Sequence, residues 1–157
     1  SSCAIGLVRV ESGKIIRSHA FLIRPPTLEF QFTYIHGIRA VDVARAPDFG
    51  SIWPEIAPFF EGVSFLAAHN ASFDRRVLAA CCARYGITAP DLPFQCSMQH
   101  ARSRWAIYPT RLPDVCARLG IELKHHDALS DSLACARIFL HDDQPRITAT
   151  ADARPSA

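Results

Sequence analysis

Two short stretches of this chain carry residue types suited to holding hard metal ions and activating water. One is His125-His126-Asp127-Ala128-Leu129-Ser130-Asp131, with His126 five residues ahead of Asp131 at the start of an apolar-periodic helix. The other is Ala68-His69-Asn70-Ala71-Ser72-Phe73-Asp74, where a strand-like run passes into a second helical pattern. Each offers a carboxylate near a helix N-terminus. Carboxylate oxygens bind divalent cations, and an imidazole, unperturbed near pH 6.5, can accept a proton from a water. Such a site would need further carboxylates, yet no Asp-x-Glu occurs anywhere in the sequence.

Each residue also has a plainer reading. Asp74 and Asp131 sit in first helical turns, where a negative charge favours the helix dipole. His126 reads otherwise as a solvated loop histidine, with His125 as its competitor. Asp127 reads as a helix N-cap rather than a ligand. Asn70 either caps the second helix or touches a substrate. Phe73 lies at helical spacing from Val77, which favours the core, although an aromatic beside a catalytic carboxylate can stack on a base. His36 and Gly37 form a turn in which Gly accepts positive φ. Trp53 and Trp105 read as packing residues.

The elements that must position these groups follow from periodicity and punctuation. Residues 3–10 and 15–23 read as a hairpin joined at Glu11-Ser12-Gly13-Lys14, and Arg24-Pro25-Pro26 stops the second strand. Residues 27–38 form an aromatic-rich loop ending in Ile35-His36-Gly37-Ile38. A helix over 49–60 has Pro54 near its first turn, and a short buried strand is expected over 63–68. Helices follow over 72–85, 98–105 and 112–119, with a strand at 94–97, and the last helix starts near Asp127. A hairpin followed by alternating helices and strands predicts an α/β domain with a mixed sheet. Residues 1–143 form that domain. Residues 144–157, rich in Thr, Ala, Asp, Arg and Pro, form a tail whose composition predicts disorder.

With 157 residues, 49% of them apolar, the chain suits one domain with a real core. No apolar run reaches the roughly 18 residues that span a bilayer, and no basic region precedes a long apolar one at the start, so no membrane partner is expected. A net charge of +2, without a Lys/Arg block, permits a nucleic-acid partner but does not demand one. Six cysteines without any Cys-x-x-Cys predict reduced, structural thiols and a cytoplasmic location.

Asn70-Ala71-Ser72-Phe73-Asp74 and His126-Asp127-Ala128-Leu129-Ser130-Asp131 resemble the second and third exonuclease motifs of the DEDDh 3′→5′ exonucleases, a family that includes the proofreading subunit of bacterial replicative polymerases. Ile35-His36-Gly37-Ile38 is similar to that family's His-Gly-Ile segment. Order and separation match from Cys3 to about Leu140. The resemblance implies a ribonuclease-H-like mixed sheet flanked by helices, with the hairpin as second and third strands. The first, central strand, which carries Asp-x-Glu, would then precede Ser1. It further implies two divalent cations, Mg2+ or Mn2+, held by Asp74 and Asp131 with His126 as general base. His36, Gly37, Asn70 and Phe73 would meet the substrate, a nucleic-acid 3′ end of DNA or RNA, single-stranded or frayed, which would be released as nucleoside 5′-monophosphates. Partners implied beyond the substrate are a second copy of the chain or a polymerase-type protein. Two other functions compete. One is an exonuclease-fold module that has lost its chemistry and only binds nucleic acid or protein; the other is a Cys/His zinc protein. Without the Asp-x-Glu strand, the sheet should show a gap between the hairpin and the strand over 63–68, and the chain alone is expected to be inactive.

Overall fold

The structure is a computed structural model that describes residues 3–26, 40–124 and 126–141. His36, Gly37, the rest of the aromatic loop and the 144–157 tail lie outside the described residues. Strands β1 (Ala4–Glu11) and β2 (Lys14–Leu22) form the expected hairpin, antiparallel from Ala4 against Leu22 to Glu11 against Lys14, with a shift in register at Arg9 and Val10. The turn has only two residues, Ser12 at φ 48° and Gly13 at φ 75°. Positive φ at both positions matches the twist of the flanking strands, which is why glycine suits the second.

Helix α1 (Ala40–Val43) lies just after the undescribed loop. Helix α2 (Phe49–Ile56) is capped by Asp48, whose carboxylate accepts from the Ser51 amide at 2.8 Å. The structure corrects the expected 49–60 helix. Pro54 sits well inside α2, and the chain tightens into a 3₁₀ turn over Ala57–Phe59, where Pro58 follows. Arg9 of β1 closes this end, donating from Nη1 to the carbonyls of Pro58 at 2.9 Å and Glu61 at 2.7 Å.

Strand β3 (Leu66–Ala68) leads into helix α3 (Ala71–Arg84), and β4 (Phe94–Cys96) leads into α4 (Ser97–Trp105). Helices α5 (Leu112–Leu119) and α6 (Ala128–Phe139) complete the order. The strand expected over 63–68 is thus three residues long and half-buried rather than buried. It pairs in parallel with β4, Leu66 opposite Phe94. Among the described residues β1 pairs with β2 and β3 with β4, so there are two separate two-stranded sheets.

Two cores flank that division. Phe21, Ile23, Phe49, Ile52, Ile56, Phe59 and Cys82 join the hairpin to α2 and α3. Ala101, Ile107, Leu112, Val115, Cys116, Ala134 and Ile138 join α4, α5 and α6. Both tryptophans pack as expected: Trp53 lies 5.7 Å from Phe60, and Trp105 lies between His100 and His141.

Between the sheets runs a cavity of about 1420 Å³. That exceeds the roughly 300–1,000 Å³ of an ordinary small-molecule pocket. Every residue of β1 lines one side and residues 63–69 line the other, with α3 and α6 on its faces. The gap expected between hairpin and third strand is therefore present, and β1 makes no ladder with β3. Its direction is readable. Gly6 of β1 meets the start of α6, while Arg9 meets residues 58–61, which lead into β3. Chain direction along β1 is therefore opposite to that along β3.

Among the described residues no helix is long and apolar enough to cross a membrane.

Candidate active site

Two helix N-termini contribute to the wall of the cavity. At the start of α6, Asp127 caps the helix, its Oδ1 accepting from the Ser130 amide at 2.8 Å. The Lys124 amide donates to Ser130 Oγ at 2.7 Å and the Asp127 amide to the Lys124 carbonyl at 3.2 Å, which closes the turn. Asp131 then falls in the first turn and lines the cavity. The cap assigned to Asp127 from sequence is the one observed.

Helix α6 reaches the cavity because β1 offers no side chain at Gly6. A Cβ there would run into the Ala128 carbonyl oxygen and Ser132 Oγ. Ser132 instead donates to the Gly6 carbonyl at 2.9 Å and also contacts the Ala128 carbonyl. Neither Gly6 nor Ser132 is visible from sequence pattern, since their partnership spans nearly the whole chain.

The start of α3 is built differently. Asn70 occupies the cap position in the left-handed region, φ 69° and ψ 52°, and its side chain makes no capping bond. The capping role weighed for Asn70 is thereby set aside; its Oδ1 accepts only a long 3.4 Å contact from Ser72 Oγ. The orphan amides go elsewhere. Burial works against ionisation of Cys96, but hydrogen bonds from the Ala71, Gln99, Asn70 and Met98 amides together outweigh it and lower the thiol's pKa. Amides from the N-termini of both α3 and α4 thus act on one sulfur at the end of β4.

His69 fixes the same corner. Its Nε2 lies 2.9 Å from the Thr110 carbonyl, which can only accept, so Nε2 carries the proton. Its Nδ1 lies 2.8 Å from Ser97 Oγ, and the Ser97 hydroxyl also bonds Cys135. Ser97 and Thr110 are both buried. Residues 68–74 read as a motif, but only the folded chain brings Ser97 and Thr110 to His69.

Asp74 follows in the first turn of α3 and lines the cavity with Asp131. Its surface is exposed within that recess, yet the surrounding protein desolvates the carboxyl and raises its pKa. Both statements hold for a group on the wall of a solvent-filled slot. Beneath it the buried Cys135 thiol is pushed up to about 11, by burial first and by Asp74 among neighbouring groups, so it stays protonated. Burial likewise raises Cys116, with Asp131 adding to the effect. All six cysteines are free thiols.

Phe73 is 56% exposed on the cavity, which overturns the core role favoured by its spacing. His126 is exposed, in the left-handed region at φ 68°, on the turn that leads to Asp131; it does not line the cavity. The structure thus places Asp74, Asp131, Asn70 and Phe73 on the wall of one cavity and leaves His126 outside that lining.

Two carboxylates on a common recess, one of them desolvated, form a hard-oxygen donor set of the chemistry that Mg2+ or Mn2+ takes. Among the described residues no three His, Cys, Asp or Glu side chains gather as a metal site. That gives no support to the zinc reading and leaves Asp74 and Asp131 as two carboxylates on the cavity wall.

The exonuclease family RNase_T matches residues 1–139. Exodeoxyribonuclease 10 of Escherichia coli K12 is 34% identical over 148 residues, covering 87% of this chain and 59% of that protein. The PolC-type DNA polymerase III of Thermotoga maritima is 28% identical over 138 residues, covering 87% of this chain and 10% of that protein. The chain thus spans 59% or less of these two relatives. Exonuclease X in complex with 5′ overhanging duplex DNA superimposes with a TM-score of 0.70 at 27% identity, covering 88% of this chain and 80% of that chain. The nuclease domain of 3′hExo, a DEDDh family member bound to rAMP, has the same fold, with a TM-score of 0.70 at 17% identity over 88% of this chain and 90% of that one. The match over most of the sequence, and the shared ribonuclease-H-like architecture, show that this chain belongs to the RNase_T exonuclease family.

Proposed function

We propose that the protein removes nucleotides from nucleic-acid 3′ ends by metal-dependent hydrolysis, releasing nucleoside 5′-monophosphates. The observation that carries this is the pair Asp74 and Asp131, delivered by two separate helices to one recess. Divalent cations bound there, Mg2+ or Mn2+, would neutralise phosphoryl charge and favour ionisation of a water. Asp74 and Asp131 hold them through carboxylate oxygens. Phe73 and Asn70 face the terminal nucleotide from the start of α3. His126 approaches from the α6 turn and takes the proton of the attacking water on an imidazole nitrogen. The cavity between the sheets has room for a further strand, and carboxylates on such a strand would complete the site. Because β1 and β3 run oppositely, a strand parallel to β3 would be antiparallel to β1. The names of the relatives, an exodeoxyribonuclease among them, favour DNA as a substrate.

The test is release of 5′-mononucleotides from a 3′-labelled oligonucleotide by the intact protein. Asp74→Asn and Asp131→Asn should nearly abolish it, since each removes a charged ligand while keeping shape. Undiminished activity in either variant overturns the metal assignment. Binding of the oligonucleotide without any release by the unmodified protein supports the degenerate-module reading instead. His126→Ala should slow the chemical step by about 10²–10⁴-fold, and His125→Ala far less.

A further inference from the structure

Tyr108 is the most exposed aromatic residue described, at 65%. An aromatic ring so placed normally belongs to a mobile or incidental surface position, but this one is mounted. The Arg102 guanidinium carbon lies 5.7 Å from the ring centroid. Arg102 Nε donates to Thr110 Oγ1 at 2.9 Å, and Thr110 Oγ1 donates to the Ile107 carbonyl at 3.0 Å. The Thr110 carbonyl receives His69 Nε2, and His69 directly precedes Asn70 and the α3 turn bearing Phe73 and Asp74. A buried threonine therefore ties the Tyr108 loop to the end of β3, beside the recess. Arg111, next along, lines that recess, although its guanidinium is engaged by Asp114 at 2.7 Å and 3.1 Å.

We propose that Tyr108 is a stacking platform for a base of the substrate strand upstream of the 3′-terminal nucleotide, so that the site prefers single-stranded or frayed ends. This rests on the nuclease reading above. A fixed, exposed ring loses little conformational freedom on binding, and every base has a face to offer it. The Arg102 cation beside the ring adds attraction for the strand's phosphates. A base can reach such a platform only when it has left the duplex stack, which is the source of the strand preference.

The experiment compares two substrates in the intact protein: a single-stranded oligonucleotide and p-nitrophenyl thymidine 5′-monophosphate, which has no upstream base. Tyr108→Ala should raise KM for the oligonucleotide by about 5- to 100-fold, the range that loss of one base–aromatic stack spans, with kcat unchanged. Tyr108→Phe should keep the original KM, and both variants should hydrolyse the ester as the unmodified protein does. An oligonucleotide KM within twofold of the original, or an equal loss on both substrates, overturns the proposal. Anisotropy of a labelled single strand in Ca2+ reads the same contact without turnover. If the unmodified protein binds but cleaves nothing, the nuclease reading falls, and the ratio of the Tyr108→Ala and original affinities still decides this one.

Discussion

The starts of α3 and α6 do the same job by different means. Each presents an aspartate from its first turn to the recess. Helix α6 is finished by its own residues: Asp127 caps it, and Lys124 and Ser130 close the turn, all within seven positions. Helix α3 borrows its completion. Its amides are met by Cys96, 26 residues away from Asn70, and its entry is clamped by Ser97 and Thr110 through His69. A locally capped turn keeps its own shape without help from distant residues. A turn completed by distant groups keeps its shape only while the sheet, α4 and the loop after it are in place. The turn that bears Asp131 is thus closed by sequence-local chemistry and the turn that bears Asp74 by the tertiary fold.

Removing one support at each end tests that contrast. His69→Ala should have the largest effect, about 2–3 kcal/mol by urea denaturation, because it strips partners from a buried hydroxyl and a carbonyl. It should also weaken metal binding through Asp74. A loss below about 0.5 kcal/mol would mean that α3 is as self-sufficient as α6. Asp127→Ala should cost about 1 kcal/mol, the usual value of a side-chain cap, and should leave the α3 corner intact by hydrogen exchange. If amides near Asn70 lose protection in that variant, the two ends are coupled and the comparison fails.

Asp74→Asn should give the smallest change, and of opposite sign. Burial raises the Asp74 pKa, so the fold favours the neutral carboxyl. The stability this carries is present below the unfolded-state pKa and lost as pH rises through the raised one. At neutral pH, with chelator present, the amide variant should therefore unfold at slightly higher urea than the parent. The difference should shrink on acidification and reverse when Mg2+ or Mn2+ is added. A lower midpoint in chelator would show that the carboxylate already has a favourable partner.

These ends also mark what the sequence discloses. The hairpin, the bounds of α5 and the Asp127 cap were legible because each is decided within a few residues. The place of strand β3 was legible too, but not its length or burial, since it is only three residues long where one flanking ladder is open. The choice for Asn70 between cap and substrate contact stayed open in the sequence, because the group that acts on these amides, a cysteine sulfur, arrives from another strand. Phe73 kept helical spacing with Val77 yet faces the slot between the sheets, where periodicity alone cannot distinguish a wall from a core. His69 showed as part of a motif, but its partners Ser97 and Thr110 carried no signal until the chain was folded.

The bond from Ser132 to the Gly6 carbonyl joins residues 126 positions apart. During synthesis the hairpin leaves the ribosome before α6 and must wait for it. At about 5–20 residues per second that interval is roughly 6–25 s. Throughout it the face of β1 around Gly6 that α6 will cover stays open, the kind of apolar surface on which other nascent chains or a holding chaperone can settle. The glycine that lets α6 approach so closely also makes the hairpin depend on a helix made long after it.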